Sequence, residues 1–145
     1  MSVKRVSASE AAEMMTEAGY VYVDVRSIPE FDAGHPEGAY NIPLVQMGPG
    51  GMAPNPDFLR VFEDAFPKDA RLILGCQTGV RSLQAAQILQ AQGFSDVVDH
   101  RPGFAGAPPT MGAGPEPGWR ALGLPVATQA AEGRAYPALA AAAKR

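Results

Sequence analysis

Short apolar runs alternate along this chain with segments whose apolar residues return every three or four positions. Ser7, with Glu10 three residues on, forms a capping-box pattern that predicts a helix to about Ala18, closed by Gly19. Residues 20–25 (YVYVDV) are β-branched and aromatic and predict a strand, broken by Pro29. Residues 29–32 suit one helical turn, and 39–42 a short extended piece ending at Pro43. Asn55-Pro56 reads as an N-cap followed by proline at the first helical position, and Phe58, Val61, Phe62 and Ala65 then share a face through about Phe66. Residues 71–75 predict a further strand. The stretch SLQAAQILQAQG predicts a helix with Leu83, Ala86, Ile88 and Leu89 roughly on one side and Gly93 just past its end. Residues 96–99 predict another short strand, and 119–122 a brief helix before Gly123.

Short apolar strands alternating with helices predict an α/β fold, with a mostly parallel central sheet covered by helices on both faces. Glycine and proline cluster at 48–56 and 102–118, which read as long loops because neither flank is large enough for a second core. The Ala-rich end, AYPALAAAAKR, reads as a short helix or a frayed tail. A chain of 145 residues suits one domain, expected over residues 1–126, with 127–145 as a C-terminal extension.

Composition narrows the function classes. A net charge of −3 offers nothing to attract nucleic acid. No run of about 18 apolar residues occurs, so no membrane span is expected. The opening MSVKRVSASEAAEMM has no apolar core of a secretion signal, and one cysteine cannot form an internal disulfide, so the expected location is cytoplasmic. Two distant histidines and one cysteine do not make a metal set, and no cofactor is expected.

The chemistry gathers at the single cysteine. Residues 76–82 read CQTGVRS, between the predicted strand 71–75 and the predicted helix behind it. A strand, tight loop and helix start turn several backbone N–H groups inward, and the positive end of the helix dipole adds to them, making a site for an anion. Ligands of open α/β sheets bind at such carboxyl ends of strands. Gly79 can take positive φ to close the loop, and Arg81 adds a full charge. The same field acting on Cys76 favours the thiolate, which is the nucleophilic form. The competing reading is that Cys76 packs as a small apolar filler. It leaves unexplained a glycine three residues later, an arginine at the loop's end and a helix start directly behind.

Two motifs in order resemble the rhodanese family of single-domain sulfurtransferases. The first runs Asp24-Val25-Arg26-Ser27-Ile28-Pro29-Glu30-Phe31-Asp32-Ala33-Gly34-His35-Pro36-Glu37-Gly38-Ala39-Tyr40-Asn41-Ile42-Pro43, matching that family's D-x-R…E-[FY]-x-x-G-H-x-x-G-A-x-N-I-P signature nearly throughout. The second is Cys76-x-x-Gly79-x-Arg81-Ser82, like the family's active-site loop, and Gly103…Trp119…Gly123-Leu124-Pro125 echoes its ending. The resemblance spans about residues 5–126. It implies that Cys76 attacks the outer sulfur of a donor such as thiosulfate, carries it as a persulfide and passes it to cyanide or a thiol. A protein acceptor is a further partner class; nucleic acid and membrane are not. The main chain of Gln77, Thr78, Gly79, Val80 and Arg81 is expected to cradle the persulfide, with Arg81 either meeting the anionic donor or bracing the loop. Asp24 and Arg26 are expected as structural support, Arg26 pairing with Glu30 or another nearby carboxylate. His35 is read as a hydrogen-bonded fixture and Trp119 as an anchor, while His100 has no context to recommend it.

The chain departs from the family's pattern twice. Pro102-Gly103 replaces a pair of glycines, and a Gly/Pro-rich stretch, 105–118, is inserted before Trp119, beside the expected pocket, where it is expected to shape substrate choice. Phosphatases of the same fold use Cys-x5-Arg. Here the spacing is Cys-x4-Arg, a smaller ring that suits one sulfur atom better than a phosphate. A persulfide carrier or thiol sensor serving a protein partner needs the same loop and stays open at this point.

Overall fold

The computed structural model describes residues 3–109 and 114–143. The first half of the chain folds as β1 (Lys4–Val6), α1 (Ala8–Glu17), β2 (Val21–Asp24), α2 (Ile28–Ala33), β3 (His35–Pro36), β4 (Tyr40–Asn41), β5 (Val45–Gly48) and β6 (Gly51–Pro54). The second half supplies α3 (Phe58–Ala65), β7 (Arg71–Gly75), α4 (Val80–Ala91), β8 (Asp96–His100), β9 (Gly106–Ala107), β10 (Glu116–Pro117), β11 (Val126–Ala127) and α5 (Tyr136–Ala143).

Five strands pair in the order β1-β8-β7-β2-β4, every pair parallel. The sequence explains why β7 sits at the centre. Leu72, Ile73 and Leu74 are all fully buried, which only a strand covered on both faces can use. Their side chains alternate. Leu72 and Leu74 join Val23 in a cluster with Val61 and Phe62 of α3 and Ala85 and Leu89 of α4. Ile73 joins Tyr22 and Val98 in the opposite cluster, with Ala11 of α1, Phe31 of α2 and Trp119. Each such aliphatic side chain, fully withdrawn from water, contributes about 2 kcal/mol.

The capping box at α1 forms as its sequence predicts. Ser7 Oγ accepts from the Glu10 amide at 3.1 Å, and Glu10 Oε1 accepts from the Ser7 amide at 2.8 Å. Elsewhere the structure corrects the pattern. Residues 48–56 are not a long loop: β5 and β6 pair as an antiparallel hairpin. Asn55 does not cap α3, which starts at Phe58 with Asp57 at the N-cap. The Asn55 side chain instead accepts from the Asp57 amide and donates to Pro43 O and Tyr136 Oη, so a local turn and a tie to α5 take the atoms a cap would use.

On α4 the buried face is Ser82, Ala85, Ala86 and Leu89, whereas Ile88 is exposed and Leu83 only partly covered. The helix begins at Val80, which turns positions 82, 85, 86 and 89 toward the sheet at helical spacing. Residues 119–122 form turns rather than a helix, held by Leu122 N–Gly118 O and Gly123 N–Arg120 O hydrogen bonds. Of the stretch 102–118, residues 110–113 lie outside the described residues, and the flanks form a two-residue ribbon, β9 with β10. Beyond residue 126 the chain continues to pack on the same body. β11 pairs with β3, and Tyr136, Leu139, Ala140 and Ala143 of α5 join the α3 side of the core.

Candidate active site

Cys76 follows the last residue of β7, at the carboxyl end of the sheet, and is 2% exposed. Gly79 takes φ +95°, and a Cβ there would collide with the Arg101 carbonyl oxygen, so only glycine closes this turn. Gly79 is also the N-cap of α4, which makes Ser82 the third helical residue, with an amide that has no helical acceptor. That amide points back at the cysteine. Cys76 Sγ accepts from Gly79 N at 3.1 Å and from Ser82 N at 3.3 Å, and thereby acts as the helix's missing cap. Among the described residues, the sulfur's amide donors are thus Gly79 and Ser82, and not the whole run 77–81.

Behind the sulfur lies a buried polar chain. Ser82 Oγ is 3.4 Å from Cys76 Sγ and 2.5 Å from Asp99 Oδ1. Asp99 Oδ2 in turn accepts from Arg5 Nε at 2.7 Å, and Arg5 Nη2 reaches the Gly79 carbonyl at 3.4 Å. Ser82 and Asp99 are fully buried. Burial pushes the Asp99 carboxyl above the usual range, against the pull of Ser82 and Arg5.

The first motif braces the loop from the other side. Arg26 Nε bonds both oxygens of Asp24 at 3.0 Å, and Nη2 bonds Asp24 Oδ2 at 2.8 Å. Its Nη1 donates to Gln77 Oε1 at 2.9 Å, next to the cysteine. Arg26 therefore pairs with Asp24, not Glu30. The adjacent turn, where the Arg26 amide also donates to Asp24, brings the two charges together, and burial of both demands such a partner. Asn41 donates to the Asp24 and Arg26 carbonyls and fixes that turn. Burial raises the Asp24 carboxyl despite the guanidinium.

Glu30 belongs to Arg81. The two form a bidentate pair at 2.8 and 2.9 Å, and Arg81 with the Ser27 groups holds the Glu30 carboxyl down at about 2. Phe104 stacks under Arg26 at 4.6 Å, and Arg120 stands 6.0 Å from the same ring. Among the described residues Arg120 makes no ion pair, and it lines a pocket of about 220 Å³ with Arg26, Glu30, Gln77 and Phe104. A larger space, about 540 Å³, lies on the α4 side between Thr78, Val80 and Leu83 and the ribbon residues Ala107 and Glu116. Its two arginines are both paired, Arg5 with Asp99 and Arg101 with Glu116.

Gly103 presses on the back of the loop, where a Cβ would come within 2.6 Å of Gln77 O and 2.7 Å of Cys76 O. Phe104 N and Ala105 N then donate to those carbonyls at 2.8 and 3.0 Å. Pro102 has no N–H to give, and this docking asks none of it: the donors are one and two residues beyond Gly103. His35 stacks on Phe31 at 3.6 Å and bonds its carbonyl through Nδ1 at 2.7 Å. His100 is fully buried, with Nδ1 2.6 Å from Tyr22 Oη, and burial depresses it to about 4. Trp119 Nε1 donates to Pro125 O at 2.7 Å.

The fold thus gathers Cys76, Gln77, Gly79, Arg26 and Asp24, while Thr78 and Val80 turn their side chains outward and the Arg81 guanidinium is committed to Glu30. Sequence reasoning assigned no role to Ser82, although it stands inside the quoted motif. It missed Asp99, Arg5 and Arg120 entirely. An acidic residue at the end of β8, beside the cysteine strand, was the available signal for Asp99. Among the described residues no group of three or more His, Cys, Asp or Glu side chains is placed to hold a metal, and no helix is long and apolar enough to cross a membrane.

Comparison with known proteins gives the family. The rhodanese-like domain model matches residues 7–106, and the chain belongs to that family. It is 41% identical over 93 residues to the senescence-associated protein DIN1 of Raphanus sativus, covering 64% of this chain and 51% of that protein. It is 40% identical over 100 residues to the chloroplastic thiosulfate sulfurtransferase 16 of Arabidopsis thaliana, covering 69% and 82%. A third relative is the thiosulfate sulfurtransferase GlpE of Pseudomonas fluorescens (strain SBW25), 38% identical over 95 residues, covering 66% and 76%. The chain therefore spans about half the length of the first relative and most of the other two. Among solved structures, Rv0390 from M. tuberculosis superimposes with a TM-score of 0.72 at 26% identity, covering 89% of this chain and all of the other.

Proposed function

We propose that the chain is a sulfurtransferase in which Cys76 accepts the outer sulfur of an anionic donor of the thiosulfate type and passes it to cyanide or a thiol. The observation that carries this reading is the Cys76 sulfur itself, capped by the Gly79 and Ser82 amides at the mouth of a parallel sheet. Two relatives named thiosulfate sulfurtransferase, at 40% and 38% identity, support it.

In the first half-reaction the Cys76 sulfur attacks the sulfane sulfur. An S–S bond forms to Cys76, the donor's own S–S bond breaks, and the electron pair leaves with sulfite. The charge carried onto the outer persulfide sulfur is met by loop amides not already bonded to Sγ. In the second half-reaction the acceptor's lone pair attacks that outer sulfur, and the Cys76 sulfur leaves as the thiolate. The enzyme alternates between a free and a persulfide-bearing form, so ping-pong kinetics follow. Donor capture falls to Arg120. Around the 220 Å³ pocket Arg26 is neutralised by Asp24 and Glu30 by Arg81, which leaves Arg120 as the excess positive charge there. A cytoplasmic, reducing setting suits a lone exchangeable thiol.

Intact-mass measurement after thiosulfate treatment tests the reading. The native chain is expected to gain one sulfur atom and Cys76→Ser none. A native chain that gains nothing, or a variant that gains the same adduct, overturns it. Sustained turnover with thiosulfate and cyanide then separates an enzyme from a carrier dedicated to a protein acceptor.

A further inference from the structure

The hydroxyl of Ser82 lies between two titratable groups, 3.4 Å from the Cys76 sulfur and 2.5 Å from the Asp99 carboxyl. A serine hydroxyl has one proton and two lone pairs. When Asp99 is ionised, its short bond claims the Ser82 proton, and a Ser82 lone pair faces the thiol. When Asp99 is protonated, the carboxyl donates to Ser82, whose own proton is then free to point at the sulfur. Each state of Asp99 therefore matches one state of Cys76, and the passage between them needs only two short proton shifts.

We propose that Ser82 and Asp99 form a proton relay that takes the Cys76 proton as the sulfur attacks its donor and returns it when the sulfur is next protonated. In the forward direction the S–H bond of Cys76 breaks and an O–H bond forms at Ser82 Oγ. The original Ser82 proton passes to Asp99 Oδ1. No oxidant, reductant or further reactant enters, and one negative charge moves from Asp99 to the sulfur. The sulfur then accepts from the Ser82 hydroxyl as well as from the Gly79 and Ser82 amides. In the donor half-reaction that charge passes onward to the outer persulfide sulfur, so none is left stranded in the interior.

The surroundings of Asp99 suit a group that changes state. Arg5 on β1 bonds it at 2.7 Å and stabilises the anion, with Arg101 adding a weaker attraction from the turn after β8. Burial opposes both, and the net result is a carboxyl more ready to hold a proton than an ordinary aspartate. Among the described residues, Cys76 lies across Ser82 from it, and Asp99 also disfavours ionisation of the buried Tyr22 hydroxyl. Glu116 is engaged with Arg101.

The relay is distinguishable from a merely electrostatic or structural role because the signs differ. The relay is a feature of the site under Proposed function, and it is tested first without sulfur chemistry, by alkylating the one thiol of the full chain with iodoacetamide from pH 5 to 10. In the native protein the rate is expected to level off on the acid side, because the relay supplies a base there. In Ser82→Ala and in Asp99→Asn it is expected to keep falling about tenfold per pH unit, reaching ~100-fold below native near pH 6 and converging above pH 9, the span of a lost general base. If Asp99 only repels charge on the sulfur, Asp99→Asn raises the acid-side rate instead, and that outcome overturns the relay. So does a Ser82→Ala profile that overlays the native one. Should Ser82→Ala fail to fold, the native chain alone decides. A solvent deuterium isotope effect of about 2 or more on alkylation near pH 6 is expected, and none refutes the relay. Loss of thiosulfate turnover with the alkylation signature intact counts against the sulfurtransferase reading alone.

Discussion

Arg81 offers the sharpest test of how this loop is held. Its guanidinium grips both Glu30 oxygens, at 2.8 and 2.9 Å, so α2 and the first turn of α4 are tied across the mouth of the sheet. The Glu30 carboxyl is held at about 2 instead of its ordinary 4.5. A lowering of that size corresponds to roughly 3 kcal/mol of preference for the ionised, paired form. A third of the Glu30 side chain remains open to water, and screening brings the usable figure to about 1–2 kcal/mol. Because the folded value is depressed, this contribution is complete above pH 4.5 and is lost as pH falls through about 2. Urea unfolding of the native chain, Glu30→Gln, Arg81→Met and the double variant is expected to give a coupling energy of about 1–2 kcal/mol at pH 7. Steady-state rates on the same four proteins separate bracing from substrate binding. A brace lost from either end lowers kcat by a similar factor and moves KM for thiosulfate less than about twofold. If Arg81 instead contacts the donor, Arg81→Met raises KM about tenfold or more and Glu30→Gln lowers it by freeing the guanidinium. That second pattern refutes the reasoning.

Two further predictions follow from the same geometry. His100 is neutral and fully buried, held near 4 where an exposed histidine titrates at 6.5. The unfolded chain takes up the proton first, so stability is expected to be complete above pH 6.5 and to fall by roughly 3 kcal/mol as pH drops through about 4. Unfolding midpoints measured from pH 7.5 to 4 check this, and a flat curve across 6.5–4 contradicts it. Arg120→Ala removes the excess cation at the 220 Å³ pocket while leaving the Cys76 cradle intact. The expected result is a several-fold higher KM for thiosulfate and a weaker dependence of kcat/KM on salt, and unchanged salt dependence would exclude Arg120 from donor capture.

The sheet was legible because each of its two central strands carries its own signal. Leu72–Leu74 reads as a run buried on both faces, and residues 20–25 as a β-branched strand. The loop was legible for a local reason too: Gly79 at an obligatory positive φ and Arg81 at the helix start stand within six residues of Cys76. What escaped was decided by partners distant in sequence. Arg81 meets Glu30 fifty-one residues away, and Arg5 meets Asp99 at a separation of ninety-four. No local pattern announces such pairs. Asn55 misled for the complementary reason: it had every local mark of a cap, and a tertiary bond to Tyr136 together with a tight turn took its side chain elsewhere. The β5–β6 hairpin was hidden because glycine and proline, which usually mark irregular chain, here flank a reversal between two edge segments.

The cysteine loop is bolted at several points: to Arg26 through Gln77, to Glu30 through Arg81, and to Phe104 and Ala105 through its own carbonyls. An aperture anchored so firmly cannot widen on demand. Guests that bring three oxygens into the loop itself, as a phosphoryl group does, need more inward amides than the two that meet Sγ here. Admitting them calls for an extra link in the hoop, so backbone length, more than side-chain identity, governs what this scaffold can grip.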